Sequence, residues 1–259
     1  YPNPAVGCVI VKDGKIIGEG FHRKAGEGHA EVNAAADAKQ RGFSLKGAKC
    51  YVTLEPCSHV GRTPACAAML VEQQVAEVVI AMVDPNPQVA GRGINRLKEA
   101  GITVRTGLME QTARALNPGF LSRVERKRSF VRLKLAGSID AKTALANGES
   151  KWITSAQSRS DVQRERAASH AILSTATTII RDNASLNVRF NELGSLAEQL
   201  DETMLRQPLR VIIDRKQRLA EAPKNLNIFK NSQSLWVAGY QPQKQFSAAT
   251  QLVIEDSPS

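Results

Sequence analysis

Gly28-His29-Ala30-Glu31, taken together with Pro56-Cys57 and Cys66 downstream, is the stretch from which the rest of the chain is read. One imidazole and two thiolates are donors that suit Zn²⁺. Three protein ligands leave the fourth tetrahedral position to water, as in catalytic zinc sites and unlike structural ones. Glu31 stands two residues after the histidine at the start of a predicted helix. There it can reach water beside the metal without binding the metal, which is where a proton carrier belongs. His29, Cys57 and Cys66 are therefore expected as metal ligands and Glu31 as the general acid and base. The plainer alternative is a core histidine and two buried thiols.

H-x-E followed by P-C and a second cysteine is the pattern of zinc deaminases, whose cysteines stand as C-x-x-C. Here eight residues, Ser58 to Ala65, separate Cys57 from Cys66. The wider sequence gives this long form a context. Pro2-Asn3-Pro4-Ala5-Val6-Gly7, Gly28-His29-Ala30-Glu31-Val32, Thr53-Leu54-Glu55-Pro56-Cys57-Ser58-His59, Gly61-Arg62-Thr63-Pro64 and Asp84-Pro85-Asn86-Pro87 occur in this order. Together they resemble the bifunctional deaminase/reductase family of riboflavin biosynthesis, whose zinc loop has the same long form. The resemblance implies a cytidine-deaminase-like domain and places Asn3, His22, His59, Arg62 and Asn86 at the substrate. Asn3 and Asn86 also read as turn residues beside prolines, and His59 and Arg62 as surface polar residues. Asn33 stands where the resemblance leads one to expect a histidine.

Outward from the centre, Val6 to Val11 and Ile16 to Phe21 predict two strands joined by Lys12-Asp13-Gly14-Lys15, a hairpin signal. His29 opens a predicted helix to about Gln40, whose alanines favour helix and allow close packing on a sheet. Ala48 to Leu54 predicts a buried strand that delivers Glu55-Pro56-Cys57 at its carboxyl end, where open α/β sheets place their sites. Pro64 to Gln73 predicts a second metal helix with Cys66 in its first turn, where the helix dipole favours the thiolate. A strand from Val75 to Val83, a helix from Ala90-Gly91-Arg92-Gly93 to near Gly101, a strand from Ile102 to Thr106 and a helix from about Glu110 to Arg123 follow. Alternation of this kind implies a three-layer α/β/α sandwich. The charge run Glu125-Arg126-Lys127-Arg128 reads as a linker, dividing a domain over 1–125 from a second over 126–259.

In the second half, Phe130 to Gly137 is strand-like, and Gly148-Glu149-Ser150-Lys151-Trp152-Ile153-Thr154 continues the resemblance into the family's reductase half, a dihydrofolate-reductase-like α/β fold. Ser155 to Ala168 predicts a helix; Ala171 to Ser174 and Leu209 to Asp214 predict strands. Asp182 to Arg189 matches a family block, with Ala184 in place of its proline, and Arg215 replaces its usual serine. No G-x-G-x-x-G follows a strand here, so a Rossmann reading has no support. By resemblance, Ala136, Trp152, Thr178 and Asp182 lie against NADPH, while Ser150, Arg166, Leu186 and Arg189 hold the substrate. Trp152 offers a flat wall, and the two arginines can pair with phosphate through parallel N–H bonds. Their plainer readings are a core tryptophan and an exposed helix charge. Relatives are expected to extend before Pro2 and, with a glycine-rich cofactor segment, after Ser259.

Composition sets the remaining bounds. The 259 residues, 42% hydrophobic and 23% charged, suit two globular domains of ordinary size and argue against disorder. No apolar run of about eighteen residues is present, which argues against a membrane span, and without a basic-then-apolar stretch at the start of this sequence secretion is not expected. Two of the four cysteines, Cys8 and Cys50, sit in apolar runs and read as buried free thiols, which favours a reducing cytoplasm. The net charge of +10 suits a phosphorylated metabolite. With aromatics at 5% and no basic run interleaved with them, a nucleic-acid groove is disfavoured.

The resulting expectation is zinc-dependent hydrolytic deamination of 2,5-diamino-6-(5-phosphoribosylamino)pyrimidin-4-one, followed by NADPH reduction of the ribosyl chain to ribityl. The partner is a small phosphorylated pyrimidine, without nucleic acid or membrane, in a homo-oligomer. Two rivals stand beside it. One is a zinc deaminase of another base or nucleoside with an inactive second domain; the other is a structural zinc module that binds nucleic acid through the net positive charge.

Overall fold

Asp13 and Gly14 both take positive φ, and their tight turn folds β1 (Gly7–Lys12) against β2 (Lys15–Phe21) in an antiparallel hairpin. A computed structural model supplies the coordinates and describes residues 3–58, 65–87, 89–230, 234–239 and 250–253. The chain divides into two units, Tyr1–Arg132 and Leu133–Ser259. The charge run Glu125-Arg126-Lys127-Arg128 falls inside the first unit, where Glu125 and Arg126 finish a helix.

The remaining elements of the first unit are α1 (Ala30–Gln40), β3 (Lys49–Val52), α2 (Cys66–Glu72), β4 (Glu77–Ile80), α3 (Arg92–Glu99), β5 (Thr103–Thr106), α4 (Glu110–Ala115) and α5 (Pro118–Arg126). The sheet runs β2-β1-β3-β4-β5, with β1 antiparallel to both neighbours and β3, β4 and β5 parallel. Cys8, Ile10, Cys50, Val52, Val78 and Ile80 form its buried face with Ala34, Ala38, Leu70 and Leu97 from the helices. Cys8 and Cys50 are free buried thiols whose sulphurs stand 3.4 Å apart.

The fit of α1 on the sheet is unusually close, and its sequence explains why. Ala30, Ala34 and Ala38 fall on one helix stripe, each fully buried. Opposite them are Gly18 and Gly20, where a Cβ would stand 2.3 Å from the Ala34 oxygen and 2.3 Å from the Ala34 nitrogen respectively. Only glycine admits this approach. The consequence is a fixed position for the first turn of α1, which carries Glu31 and follows His29.

The helix expected from Glu110 to Arg123 is two helices. Pro118 lacks an N–H and occupies the first turn of α5, so α4 ends before it. Asn117, buried between them, donates from Nδ2 to the Ala5 oxygen and accepts at Oδ1 from the Ala5 nitrogen, both at 2.7 Å. That pair ties the end of the unit to the segment leading from Asn3.

The second unit contains α6 (Ala156–Ala167), β6 (Ala171–Thr175), α7 (Ala176–Asp182), α8 (Ser195–Gln199), β7 (Leu209–Ile213), β8 (Leu235–Gly239) and β9 (Thr250–Val253). Its four strands are parallel in the order β6-β7-β8-β9. Ile179, Leu186, Ile212, Ile228 and Val237 are among its core residues. The stretch from Phe130 to Gly137 is not a strand: Val131, Leu133 and Leu135 are exposed by 83%, 79% and 78%. Their alternation is that of a strand, yet among the described residues no neighbour completes a ladder with them. Among the described residues no helix is long and apolar enough to cross a membrane.

Candidate metal centre and active site

His29 immediately precedes α1 with extended backbone angles and makes no capping bond to the helix. Its Nδ1 meets two sulphurs instead, Cys57 Sγ at 3.5 Å and Cys66 Sγ at 3.3 Å, and the three donor atoms lie within 4.8 Å of one another. A tetrahedral zinc with ordinary Zn–S and Zn–N bonds would hold such N···S pairs about 3.6 Å apart. One ring N–H cannot bond both sulphurs fully, so their convergence on it is the arrangement of a metal site. The three residues fit zinc in donor type, number and spacing.

Cys57 arrives at the carboxyl end of β3, and Cys66 is the first residue of α2. The first N–H groups of that helix have no partners within it. Here the Cys66 nitrogen donates to Cys57 Sγ at 3.3 Å and the Ala67 nitrogen to the Cys57 oxygen at 3.1 Å. The Cys57 thiol is pulled down to about 4, foremost by the hydrogen bond from the Cys66 thiol, with His29 and the Cys66 N–H assisting against burial. The Cys66 thiol is pushed well up by the same bond and by burial. His29 is raised in turn, foremost through its bond to Cys57.

Glu31, 3% exposed on the first turn of α1, is pushed up to about 7 by burial, against the lowering by a backbone hydrogen bond and by the Cys66 thiol that bonds to it. A carboxyl balanced between its two forms near neutrality can both take and return a proton.

A carbonyl fixes the next contacts. Gly28 oxygen can only accept, so His22 Nδ1, 3.0 Å away, carries the proton. On its other side His22 Nε2 faces the Asn3 side chain, whose Nδ2 stands 2.9 Å away. Asn33 donates to the same Gly28 oxygen at 3.1 Å and to the Phe21 oxygen at 2.8 Å. The His22 ring stands edge-on to that of His29, centroids 5.2 Å apart. Asn3 and His22 are thus brought beside the metal ligands. His59 and Arg62 lie outside the described residues.

Asn86 is half-buried on the loop after β4, its nitrogen donating to Asp84 Oδ1 at 2.8 Å. That loop is held by Glu55, buried at 4% exposure, a residue that sequence reasoning quoted only as part of a motif. The signal for it was an acidic residue at the end of an apolar strand, directly before Pro56-Cys57. A cavity of about 940 Å³, lined by Val9, Tyr51, Val79, Leu108 and Met109 and also by Asn33 and Ala36 of α1, includes none of the four central residues.

In the second unit, Arg166 on α6 and Arg189 are neighbours: Arg166 is lowered foremost by burial and then by the Arg189 charge. Arg166 Nη1 donates to the Asn187 oxygen at 3.0 Å, while Arg189 grips Glu192 through Nε and Nη2 at 2.5 and 2.7 Å. Gln163, 1% exposed, accepts from the Arg189 nitrogen at 3.1 Å. Two half-buried guanidinium groups around one carboxylate fit an anionic ligand. Arg166 is therefore not the exposed helix charge of its plainer reading. Nor is Trp152 core: it is 69% exposed, with Arg159 Cζ 4.3 Å above its ring. Ser150 and Ala136 are half-buried in irregular chain. Thr178 is half-buried and Asp182 exposed on α7, which leaves the carboxyl end of β6. Leu186 is buried in the core at φ 52.

Comparison with known proteins agrees with both halves of this description. Residues 1–82 match the family described as the cytidine and deoxycytidylate deaminase zinc-binding region, and residues 129–252 match the RibD C-terminal domain. The chain is 51% identical over 243 residues to the riboflavin biosynthesis protein RibD of Haemophilus influenzae, covering 93% of this chain and 64% of that protein. It thus spans less than two thirds of that relative's length. A solved structure of Acinetobacter baumannii RibD is 46% identical, with a TM-score of 0.82 over 98% of this chain and 68% of that one. A solved diaminohydroxyphosphoribosylaminopyrimidine deaminase/5-amino-6-(5-phosphoribosylamino)uracil reductase of Thermotoga maritima is 38% identical, with a TM-score of 0.87 over 99% of this chain and 69% of that one. A zinc-type donor set beside a buried glutamate in the first unit and a matching C-terminal domain in the second make this chain a member of the RibD family.

Proposed function

We propose that the first unit hydrolytically deaminates 2,5-diamino-6-(5-phosphoribosylamino)pyrimidin-4-one and that the second serves NADPH reduction of the ribosyl chain to ribityl. The observation that carries the reading is the convergence of His29 Nδ1, Cys57 Sγ and Cys66 Sγ beside the buried carboxyl of Glu31. A zinc ion held by those three residues supplies the Lewis acidity that makes water nucleophilic near neutral pH. Glu31 takes one proton of that water and returns it to the ring nitrogen; it then takes the second, from the hydroxyl now on the ring carbon, and passes it to the departing amine. Water oxygen replaces the amino group on the ring carbon, and ammonia leaves. Asn3, oriented by His22, and Asn86 hold the ring on the two sides of the centre, with His59 and Arg62 assigned to the same substrate.

NADPH, when bound, supplies the hydride. Arg166 and Arg189 take the substrate phosphate, with Ser150 and Leu186 beside them. Ala136, Trp152, Thr178 and Asp182 form the cofactor side, the last two on α7, which follows the carboxyl end of β6 in a parallel sheet, where such ligands bind. The free thiols Cys8 and Cys50 support a cytoplasmic setting. The exposed Val131, Leu133 and Leu135 support self-association, and the sparse aromatics argue against nucleic acid.

The test is incubation with this pyrimidine, with and without NADPH, following ammonia and the ribityl product separately. Ammonia without NADPH and ribityl product only with it are the expected results. Turnover of cytidine or guanine in place of the phosphoribosyl compound would overturn the substrate assignment.

A further inference from the structure

The Glu55 side chain accepts four backbone N–H bonds, and they come from both ends of a single loop and the helix turn that follows it. Asp84 donates at its entry, to Oε2 at 3.2 Å. Gly91 donates to Oε2 at 3.0 Å at its exit, and Gly93 and Ile94, in the first turn of α3, to Oε1 at 2.9 and 3.3 Å. Between these points the chain is braced from within: the Asn86 oxygen accepts from the Val89 and Ala90 nitrogens at 2.8 and 2.9 Å. Gly93 is pressed onto the strand exit itself, since a Cβ there would stand 2.0 Å from the Pro56 oxygen.

A buried carboxyl side chain is tolerated when donors fill its lone pairs. Four donors do so here, and none of them is a side chain. A glutamine of the same length offers one acceptor oxygen, and its amide hydrogens would face N–H groups. The two pieces joined in this way are the turn that presents Cys57 and the loop that carries Asn86.

We propose that Glu55 is a positioning residue of the deaminase site: it ties Asp84, after β4, to Gly91 and the first turn of α3, and so sets the distance between Cys57 and Asn86 at which the substrate ring is held. This rests on the deamination reading and on the place of Asn86 in it. It assigns a role to a side chain that touches neither substrate nor metal.

The test uses the full chain and three readouts: zinc content, the separate kcat and KM of ammonia release, and hydrogen exchange at the Asp84, Gly91, Gly93 and Ile94 amides. Glu55→Gln should keep zinc and raise KM about tenfold or more, with kcat changed by less than about threefold. Its four amides should exchange faster. Gly93→Ala should give the same KM-weighted loss by pushing on Pro56 from the other side of the joint. A zinc-loaded Glu55→Gln with normal KM, or with unchanged exchange at those amides, overturns the proposal. So does loss of zinc in both variants, which would make Glu55 a support of the fold alone. Should Glu55→Gln fail to fold, Gly93→Ala decides by the same criteria. Absence of ammonia release from the wild type would defeat the deamination reading, and exchange would then decide the clasp by itself.

Discussion

His29 Nδ1 and Cys66 Sγ lie 3.3 Å apart although they stand 37 positions apart in the chain. Two helix starts bring them there: His29 precedes α1, which the glycines of β2 hold close to the sheet, and Cys66 opens α2. Replacing Cys66 with serine leaves the first turn of α2 able to form but swaps a soft thiolate for a hydroxyl. Cys66→Ser should therefore purify with little zinc by metal analysis and release no ammonia. A variant that retained stoichiometric zinc would remove Cys66 from the ligand set.

Glu31→Gln keeps the shape of the buried side chain and takes away its ability to carry protons. Zinc content should stay normal, while deamination falls by about 10² to 10⁴, the range associated with a general acid or base. Near-normal turnover in this variant would mean that some other group moves the proton.

The contact between His22 and Gly28 yields a spectroscopic prediction. A carbonyl oxygen cannot donate, so His22 should carry a proton on Nδ1, and with the Asn3 amide nitrogen facing Nε2, long-range proton–nitrogen correlation NMR should show Nε2 as the accepting nitrogen. Finding the proton on Nε2 instead would turn the Asn3 amide around and exchange the group it offers to the substrate.

Much of this site is legible in the sequence because its chemistry lies in residue types at fixed spacing: His29, Glu31, Cys57 and Cys66 need no tertiary information to be picked out. The hairpin and the alanine-rich α1 are equally readable, since their signals are local. Glu55 and Asn117 are not, because what makes them important is a set of backbone partners far along the chain, Asp84 to Ile94 for one and Ala5 for the other. Phe130 to Gly137 fails for the opposite reason. Its alternation is a true local signal, but a strand exists only where a neighbour completes its hydrogen bonds.

At the amino ends of β3 and β4, Glu77 accepts from Lys49 Nζ at 2.9 Å and from Arg105 Nε of β5 at 2.8 Å. The Lys49 bond, foremost, and the Arg105 charge hold its carboxyl below the usual range. A depressed folded value means that the stabilisation is present above about 4.5, the ordinary carboxyl value, and is lost as pH falls through the folded one. Glu77→Gln should accordingly lower Tm by a similar small amount from pH 6 to 8, with the difference from wild type closing in acid. A difference that persisted unchanged at low pH would trace to packing and not to these ion pairs.

Arg189 approaches Glu192 with two N–H groups in parallel, and the backbone of Arg189 is fixed by Gln163. The fork is oriented from one side, and its charge lies close enough to Arg166 to lower that group. A lysine would keep the charge but present a single point in place of a plane. In the reductase reading, Arg189→Lys should raise KM for the phosphorylated substrate about tenfold, the equivalent of one charge-assisted hydrogen bond, with little change in kcat. If KM for NADPH rose and KM for the pyrimidine did not, Arg189 would belong to the cofactor and the division of the second unit into two sides would have to be redrawn.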